Sequence, residues 1–177
     1  MLILRKDWQY KLGYLAGILD GEGSFSCYVI KYKSNRLYGG KRRQYGGITK
    51  NVMIHNTNKL IVETCRDIIT EIIGEPARFK KENRLTITGK EVWYVWLSGG
   101  EQLRKFLPVI TPYLVGKRKQ AELMAELLSR KKWSKTTDKE INLVSQIVML
   151  NDKSRKPESA ETNTLDPIVG KIESDTL

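Results

Sequence analysis

Tyr14-Leu15-Ala16-Gly17-Ile18-Leu19-Asp20-Gly21-Glu22-Gly23-Ser24-Phe25 is an apolar, small-residue segment that runs into two acids separated by one glycine. Residues 8–20 read as a helix, with Leu12, Leu15, Ala16, Ile18 and Leu19 as its apolar positions. Gly13 and Gly17 lie four apart in it, with Gly21 one turn further. Glycine costs about 1 kcal/mol against alanine inside a helix. The spacing therefore reads either as a stripe cleared of side chains, along which a second backbone can approach, or as chance in a glycine-bearing region. Carboxylates at a helix C-terminus are opposed by the helix dipole, which favours cations there. A divalent cation would offset that cost; without the flanking context, Asp20-Gly-Glu22 is an ordinary surface turn.

Working outward, residues 24–33 and 47–56 read as strands, with Thr49, Asn51 and Met53 alternating against Ile48, Val52 and Ile54, and Lys50 breaking the apolar side. Residues 34–47 form a basic, glycine-rich hairpin tip on this reading. Asn56-Thr-Asn offers an N-cap to a helix that buries Ile61, Cys65, Ile68 and Ile72 and stops at Gly74-Glu-Pro. The segment 77–88 alternates, with Ala77, Phe79, Leu85 and Ile87 on one side and Arg78, Lys80, Glu82, Arg84, Thr86 and Thr88 on the other. It reads as a half-buried strand, whole or kinked near Asn83, that turns at Thr88-Gly-Lys into an aromatic-rich strand, Val92 to Leu97. Helices are expected at 100–107 and 117–131, and Thr137-x-x-Glu140 heads another over 138–150. The expected class is α+β: a curved antiparallel sheet backed by helices in the order αββαββα, with extra C-terminal helices. Residues 1–151 form the single domain and 152–177, rich in Ser, Thr, Glu, Asp and Pro, a flexible tail.

The chain has 177 residues, 31 Lys+Arg and 20 Asp+Glu, for a formal net charge of +11. That excess points to a polyanionic partner. Its distribution sharpens the point, because Ser24 to Val62 contains no acid while Lys31, Lys33, Arg36, Lys41, Arg42, Arg43, Lys50 and Lys59 all fall there. A solvated face usually mixes signs, so this stretch reads as phosphate-facing. Cys27 and Cys65 are expected as buried thiols in a reducing compartment, and two Cys with one His are too few for a Cys/His zinc site. No apolar run approaches the roughly 20 residues of a membrane span, so no membrane partner is expected. The N-terminus lacks a signal peptide's apolar region, and the mature chain is expected to begin at Met1.

Leu15 to Gly23 resembles the LAGLIDADG motif of homing endonucleases at all nine positions, with conservative changes at Ile18 and Leu19, Gly21 in place of alanine and Glu22 in place of the second aspartate. The αββαββα order is similar to that family's single-motif unit over roughly residues 8–132, and Pro112-Tyr-Leu-Val-Gly-Lys-Arg-Lys-Gln-Ala resembles its segment after the second hairpin. The resemblance implies that Glu22 is the metal-binding carboxylate, with the Gly21 carbonyl also facing a Mg²⁺ or another divalent cation such as Mn²⁺. It gives Asp20 the turn rather than the metal. Lys117 matches the active-site lysine, with Lys119 as the fallback. The polar residue ending the second strand matches Asn56 or, less closely, His55, and Lys59 is a candidate basic partner. Ser26, Tyr28, Tyr32, Thr49, Asn51, Arg78, Lys80, Arg84 and Thr86 are implied on the DNA-reading face, with Tyr28 and Tyr32 equally readable as part-buried anchors. Lys33, Arg36, Lys41, Arg42, Arg43 and Lys119 are implied as further DNA contacts, those of the hairpin tip to phosphates.

One chain carries one motif acid, so two copies packed through Gly13, Ala16 and Gly17 would bring two carboxylates together. The expectation is a homodimeric, metal-dependent, site-specific double-strand DNA endonuclease, intron-encoded, acting on a long pseudo-palindromic target. Two other readings stand beside it on the same fold: an RNA-binding maturase acting on its own intron RNA, and a DNA-binding regulator that does not cleave. An intein-borne form is not expected from 177 residues. The expected location is intracellular, in prokaryotic or archaeal cytoplasm or in an organelle matrix.

Overall fold

In the computed structural model, residues 6–38, 41–82, 86–129 and 136–152 are described, with the side chains of 31–46 outside that description. The chain runs α1 (Lys6–Glu22), β1 (Gly23–Tyr38), β2 (Lys41–Asn56), α2 (Lys59–Ile73), β3 (Arg78–Lys81), β4 (Trp93–Ser98), α3 (Gly100–Ile110), a 3₁₀ turn (Thr111–Tyr113), α4 (Arg118–Leu128) and α5 (Asp138–Asn151). The four strands pair antiparallel in the order β1-β2-β4-β3. This is the expected α+β class with the αββαββα order, followed by two further helices. The tail, residues 153–177, lies outside the described residues.

Strand alternation separates two faces. Phe25, Cys27, Val52, Ile54, Val95 and Leu97 point to the helical side and are buried. Leu12, Leu15, Ala16 and Leu19 of α1, Val62, Cys65, Ile68, Ile69 and Ile73 of α2, and Leu103, Phe106, Leu107 and Ile110 of α3 complete that core. Each fully buried Leu, Ile or Phe contributes about 1.5–3 kcal/mol. Lys50 lies on the same apolar side, opposite Cys27, with its ammonium donating to the Ile48 carbonyl at 3.1 Å. Burial pushes the Cys27 thiol to about 11, against a lowering by Lys50, and the Cys65 thiol to about 12. Both are free and buried, as the sequence implied, and hold their protons at neutral pH.

Local chemistry explains most element ends. The Asn58 side chain accepts the Leu60 N–H at 3.0 Å to open α2, and Gly74, at φ +74°, closes it in the left-handed region that L side chains avoid. The capping box at Thr137 and Glu140 forms in full. α1 passes into β1 with no intervening loop, and this is possible because residue 23 is glycine. A Cβ there would lie 2.6 Å from the Leu19 carbonyl oxygen and 2.8 Å from its Cα.

Several expectations are corrected. β1 and β2 are 16 residues each, so most of the expected hairpin tip belongs to the ladder. Backbone pairing tolerates a basic, glycine-rich sequence that shows no alternation. β3 has four residues rather than the twelve expected over 77–88. Its hairpin continues through Glu82 N–H to the Val92 carbonyl and turns over Thr86–Lys90, where Ile87 is fully exposed instead of facing the core; Leu85 and Arg84 lie outside the described residues. In α2 the buried stripe includes Val62 and Ile73, while Ile61 and Ile72 are only partly covered. α3 passes Pro108 to reach Ile110, because its apolar residues keep helical spacing on both sides of the proline.

Gly23→Ala is expected to cost about 1–3 kcal/mol, since the methyl group meets backbone that cannot yield. Gly13→Ala, whose Cβ meets nothing within 4 Å, is expected to leave stability unchanged or raise it by up to about 1 kcal/mol. Urea denaturation of the two variants checks both.

Candidate functional site

The last turn of α1 is tied to the loop that precedes α4. The Asp20 carboxylate accepts the backbone N–H of Val115 through Oδ2 at 2.8 Å and that of Lys117 through Oδ1 at 2.8 Å. In return the Lys117 Nζ donates to the carbonyls of Leu19 at 2.7 Å and Asp20 at 2.8 Å. Those carbonyls lie in the final turn of a helix, where intrahelical donors run out, so the ammonium both satisfies them and sits at the negative end of the helix dipole. The charge that the sequence reading assigned to a metal at this helix end is thus supplied in part by Lys117. Burial acts to raise the Asp20 carboxyl. The N–H donors of Val115, Lys117 and Gly116 and the Lys117 charge together outweigh it and hold the group below its ordinary range.

Two carboxylates separated by one glycine therefore have different fates. Asp20 is committed to its own chain, whereas Glu22 and Gly21 are exposed. Ladder pairing ends at Gly23 opposite Ile54, which brings the end of β2, with His55 and Asn56, beside the end of α1. The Asn56 Oδ1 accepts the Asn58 N–H at 2.8 Å, so this side chain shapes the turn into α2. His55 instead packs against Tyr94 in a tilted arrangement, with ring centroids 5.4 Å apart and planes at 37°. Lys59 pairs with Glu63 at 3.3 Å and lies over the Trp93 ring.

The sheet face turned away from the helices carries Ser26 and Tyr28 of β1, Thr49 and Asn51 of β2, and Arg78 and Lys80 of β3. Register aligns Ser26, Asn51 and Ser98 in one row and Tyr28 with Thr49 in the next. Tyr28 is half exposed, which fits a surface position rather than an anchor. Tyr32, Lys33, Arg36, Lys41, Arg42 and Arg43 sit on the hairpin ladder, but their side chains lie outside the described residues. Thr86 is off this face, in the turn after β3, where its Oγ1 accepts the Lys90 N–H. Lys119 lines a groove between α4 and α5 with Glu126, Asp138 and Lys139. Met53 shares the outer face, on the side where the strand alternation set it with Thr49 and Asn51, while Tyr94, Trp96 and Ser98 of β4 lie there too and were missed by the sequence reading. The alternation of Trp93 to Ser98, with Val95 and Leu97 buried, is the signal that finds them.

Along α1, Gly13, Gly17 and Gly21 are exposed, and an added Cβ at each would meet nothing within 4 Å. Tyr10 and Tyr14 are exposed on the same helix, at 69% and 42%. Ala16, expected with Gly13 and Gly17 at the contact, is 2% exposed and packs into its own core. As a metal site, one copy offers the Glu22 carboxylate and the Gly21 backbone, hard oxygen donors suited to Mg²⁺ or Ca²⁺. Among the described residues no three His, Cys, Asp or Glu side chains come together. A carboxylate and a backbone carbonyl are fewer oxygens than the roughly six a divalent ion takes, so water or phosphate oxygens would complete the set.

Because the Asp20 pKa is lowered on folding, its stabilisation is present above the unfolded value near 3.8 and is lost as pH falls through the folded value. Asp20→Asn is expected to cost about 1–3 kcal/mol at pH 7 and to flatten the loss of stability below about pH 4. Thermal melts of both proteins across acid pH check this.

No protein-family model matches the sequence, and comparison with curated proteins gives no match. Solved structures do match. The homing endonuclease I-CvuI bound to the I-CreI target in the presence of Mg, with the DNA not cleaved, is similar with TM-score 0.61 and 21% identity over 86% of this chain and 88% of that one. I-CvuI with its Sro1.3 target in the presence of Ca gives 0.54 and 22% over 87% and 88%. The LAGLIDADG homing endonuclease I-LtrWI bound to target DNA gives 0.53 and 19%, over 87% of this chain but 47% of that one. The chain spans about half of I-LtrWI and most of I-CvuI, and the fold it shares with them is that of the LAGLIDADG homing endonucleases.

Proposed function

We propose that two copies of this chain form a site-specific, divalent-metal-dependent double-strand DNA endonuclease, of the intron-encoded homing type, acting on a long pseudo-palindromic target. The observation that carries the reading is the end of α1: a lone exposed Glu22, held in place by the Asp20–Lys117 clamp, at the end of a helix whose glycine stripe is open. Supporting it are the net charge of +11, the polar outer sheet face and the DNA-bound homing endonucleases that share the fold.

Hydrolysis of a phosphodiester needs an activated water and a stabilised leaving oxygen, and bound divalent ions supply both. Glu22 and the Gly21 carbonyl of each copy would hold them. Packing through Gly13, Gly17 and Gly21 sets the two Glu22 carboxylates side by side at a two-fold axis. Lys117 acts as a positioning residue: by capping α1 it fixes the Gly21–Glu22 turn against the sheet. Its charge also lies at that same turn, where phosphate negative charge would gather. The outer sheet face of each copy reads one half-site in the major groove, and the basic hairpin holds phosphates.

The test is cleavage of the joined, intronless flanks of the coding sequence with Mg²⁺ and with chelator, wild type beside Glu22→Gln. Discrete double-strand products from the wild type alone, and only with metal, are the expected result. Glu22→Gln retains binding in a gel-shift assay. Cleavage that survives Glu22→Gln removes the assigned carboxylate; binding without cleavage by the wild type points to a regulator.

A further inference from the structure

On the outer sheet face the residues nearest Glu22 are of a different kind from those further along. Register places His55, Tyr94 and Lys80 in the first row beside the end of α1, then Ser24, Met53, Trp96 and Arg78, then Ser26, Asn51 and Ser98. The first two rows are thus apolar and aromatic at the centre of the sheet and cationic at its β3 edge, while the third is polar. Neighbouring strands are about 4.8 Å apart, so Met53, His55, Tyr94 and Trp96 make one continuous patch. All four are part-exposed.

The patch is pre-packed. Tyr94 lies between His55 at 5.4 Å and Trp96 at 5.0 Å, and the Arg78 guanidinium lies over Trp96 at 6.0 Å while its Nη1 donates to Ser98 Oγ at 3.0 Å. Rings flanked in this way have little free face on which an unstacked base could lie. What they present is a rigid apolar surface bordered by Arg78 and Lys80, on a face whose next row carries hydrogen-bonding groups. In the major groove the apolar feature of a base pair is the C5-methyl group of thymine.

We infer that Met53, His55, Tyr94 and Trp96 read thymine methyl groups at the base pairs of each half-site nearest the cut, while the Ser26, Asn51 and Ser98 row reads polar base edges further out. The inference rests on the proposed endonuclease reading and deepens it: it specifies the chemistry of the target. Arg78 and Lys80 supply the charge complementarity that holds this apolar patch against a polyanion.

The test uses the full chain and duplexes recovered from a randomised library by binding without Mg²⁺. Each thymine in the recovered consensus is replaced in turn by deoxyuridine, which lacks only the methyl group. The expected result is thymine at the innermost recognised positions, with affinity falling about fourfold per methyl removed there, the worth of one buried CH₂-sized group. Trp96→Ala should bind thymine and deoxyuridine equally at those positions and keep its discrimination further out. Should Trp96→Ala not fold, Tyr94→Leu, which keeps apolar bulk, is expected to retain a methyl preference that Tyr94→Gln loses. A consensus whose inner positions accept deoxyuridine without loss overturns the inference alone. Recovery of no consensus overturns it together with the endonuclease reading.

Discussion

The reciprocal clamp between Asp20 and Lys117 joins two points 97 residues apart and decides where α1 ends. Carboxylate to backbone N–H, and ammonium to backbone carbonyl, are charge-assisted bonds worth about 1.5–3 kcal/mol each when well shielded, and less at this part-exposed position. The clamp completes the last turn of the helix with a cation drawn from the far side of the fold. Gly23 then lets the chain enter β1 immediately, and the combination leaves Glu22 turned outward on a fixed turn. A loop at this junction would have given the same acid no defined position relative to the sheet.

Much of this was legible in the sequence because it depends on short-range chemistry. The Asp-Gly-Glu-Gly string, the capping box at Thr137 and the Gly74 stop act within a few residues of themselves. The hairpin length was not legible: ladder hydrogen bonds belong to the backbone, and the Lys-Arg-Arg and Gly-Gly clusters within 41–47 mimic a loop. The shortness of β3 was hidden by alternation that continues into a turn, carrying Ile87 to the surface and Thr86 off the sheet face. Ala16 was placed with the glycines because it is small, yet its helical position belongs with Leu12, Leu15 and Leu19 in the core. Lys117 could be singled out from the sequence, but its partnership with the carbonyls of Leu19 and Asp20 is long-range and has no local signature.

The hairpin also shows how a small fold extends its reach. β4 pairs with β2 only over Asn51–Asn56, so the remainder of β2 is laddered to β1 alone as a two-stranded ribbon, a shape that a major groove admits. α5 supports its base: Leu143, Val144 and Ile147 are buried, and Asn151 Nδ2 donates to the Phe25 carbonyl at 2.6 Å. Phe25 lies on an outermost strand of the sheet, so this contact covers an edge that would otherwise invite pairing with another chain. The helix expected over 138–150 therefore acts as a core cap and as a buttress to the ribbon.

The central claim is that one chain carries half of a catalytic site and that the open face of α1 joins the halves. Sedimentation of the wild type beside Gly17→Leu tests it most directly, because Gly17 is exposed and a Cβ added there meets nothing within 4 Å. The account predicts a wild-type dimer, and a variant that keeps the wild-type far-UV circular dichroism yet sediments as a monomer and cuts no DNA. A wild type that stays monomeric even on its target, or a Gly17→Leu variant that dimerises and cuts normally, would contradict it.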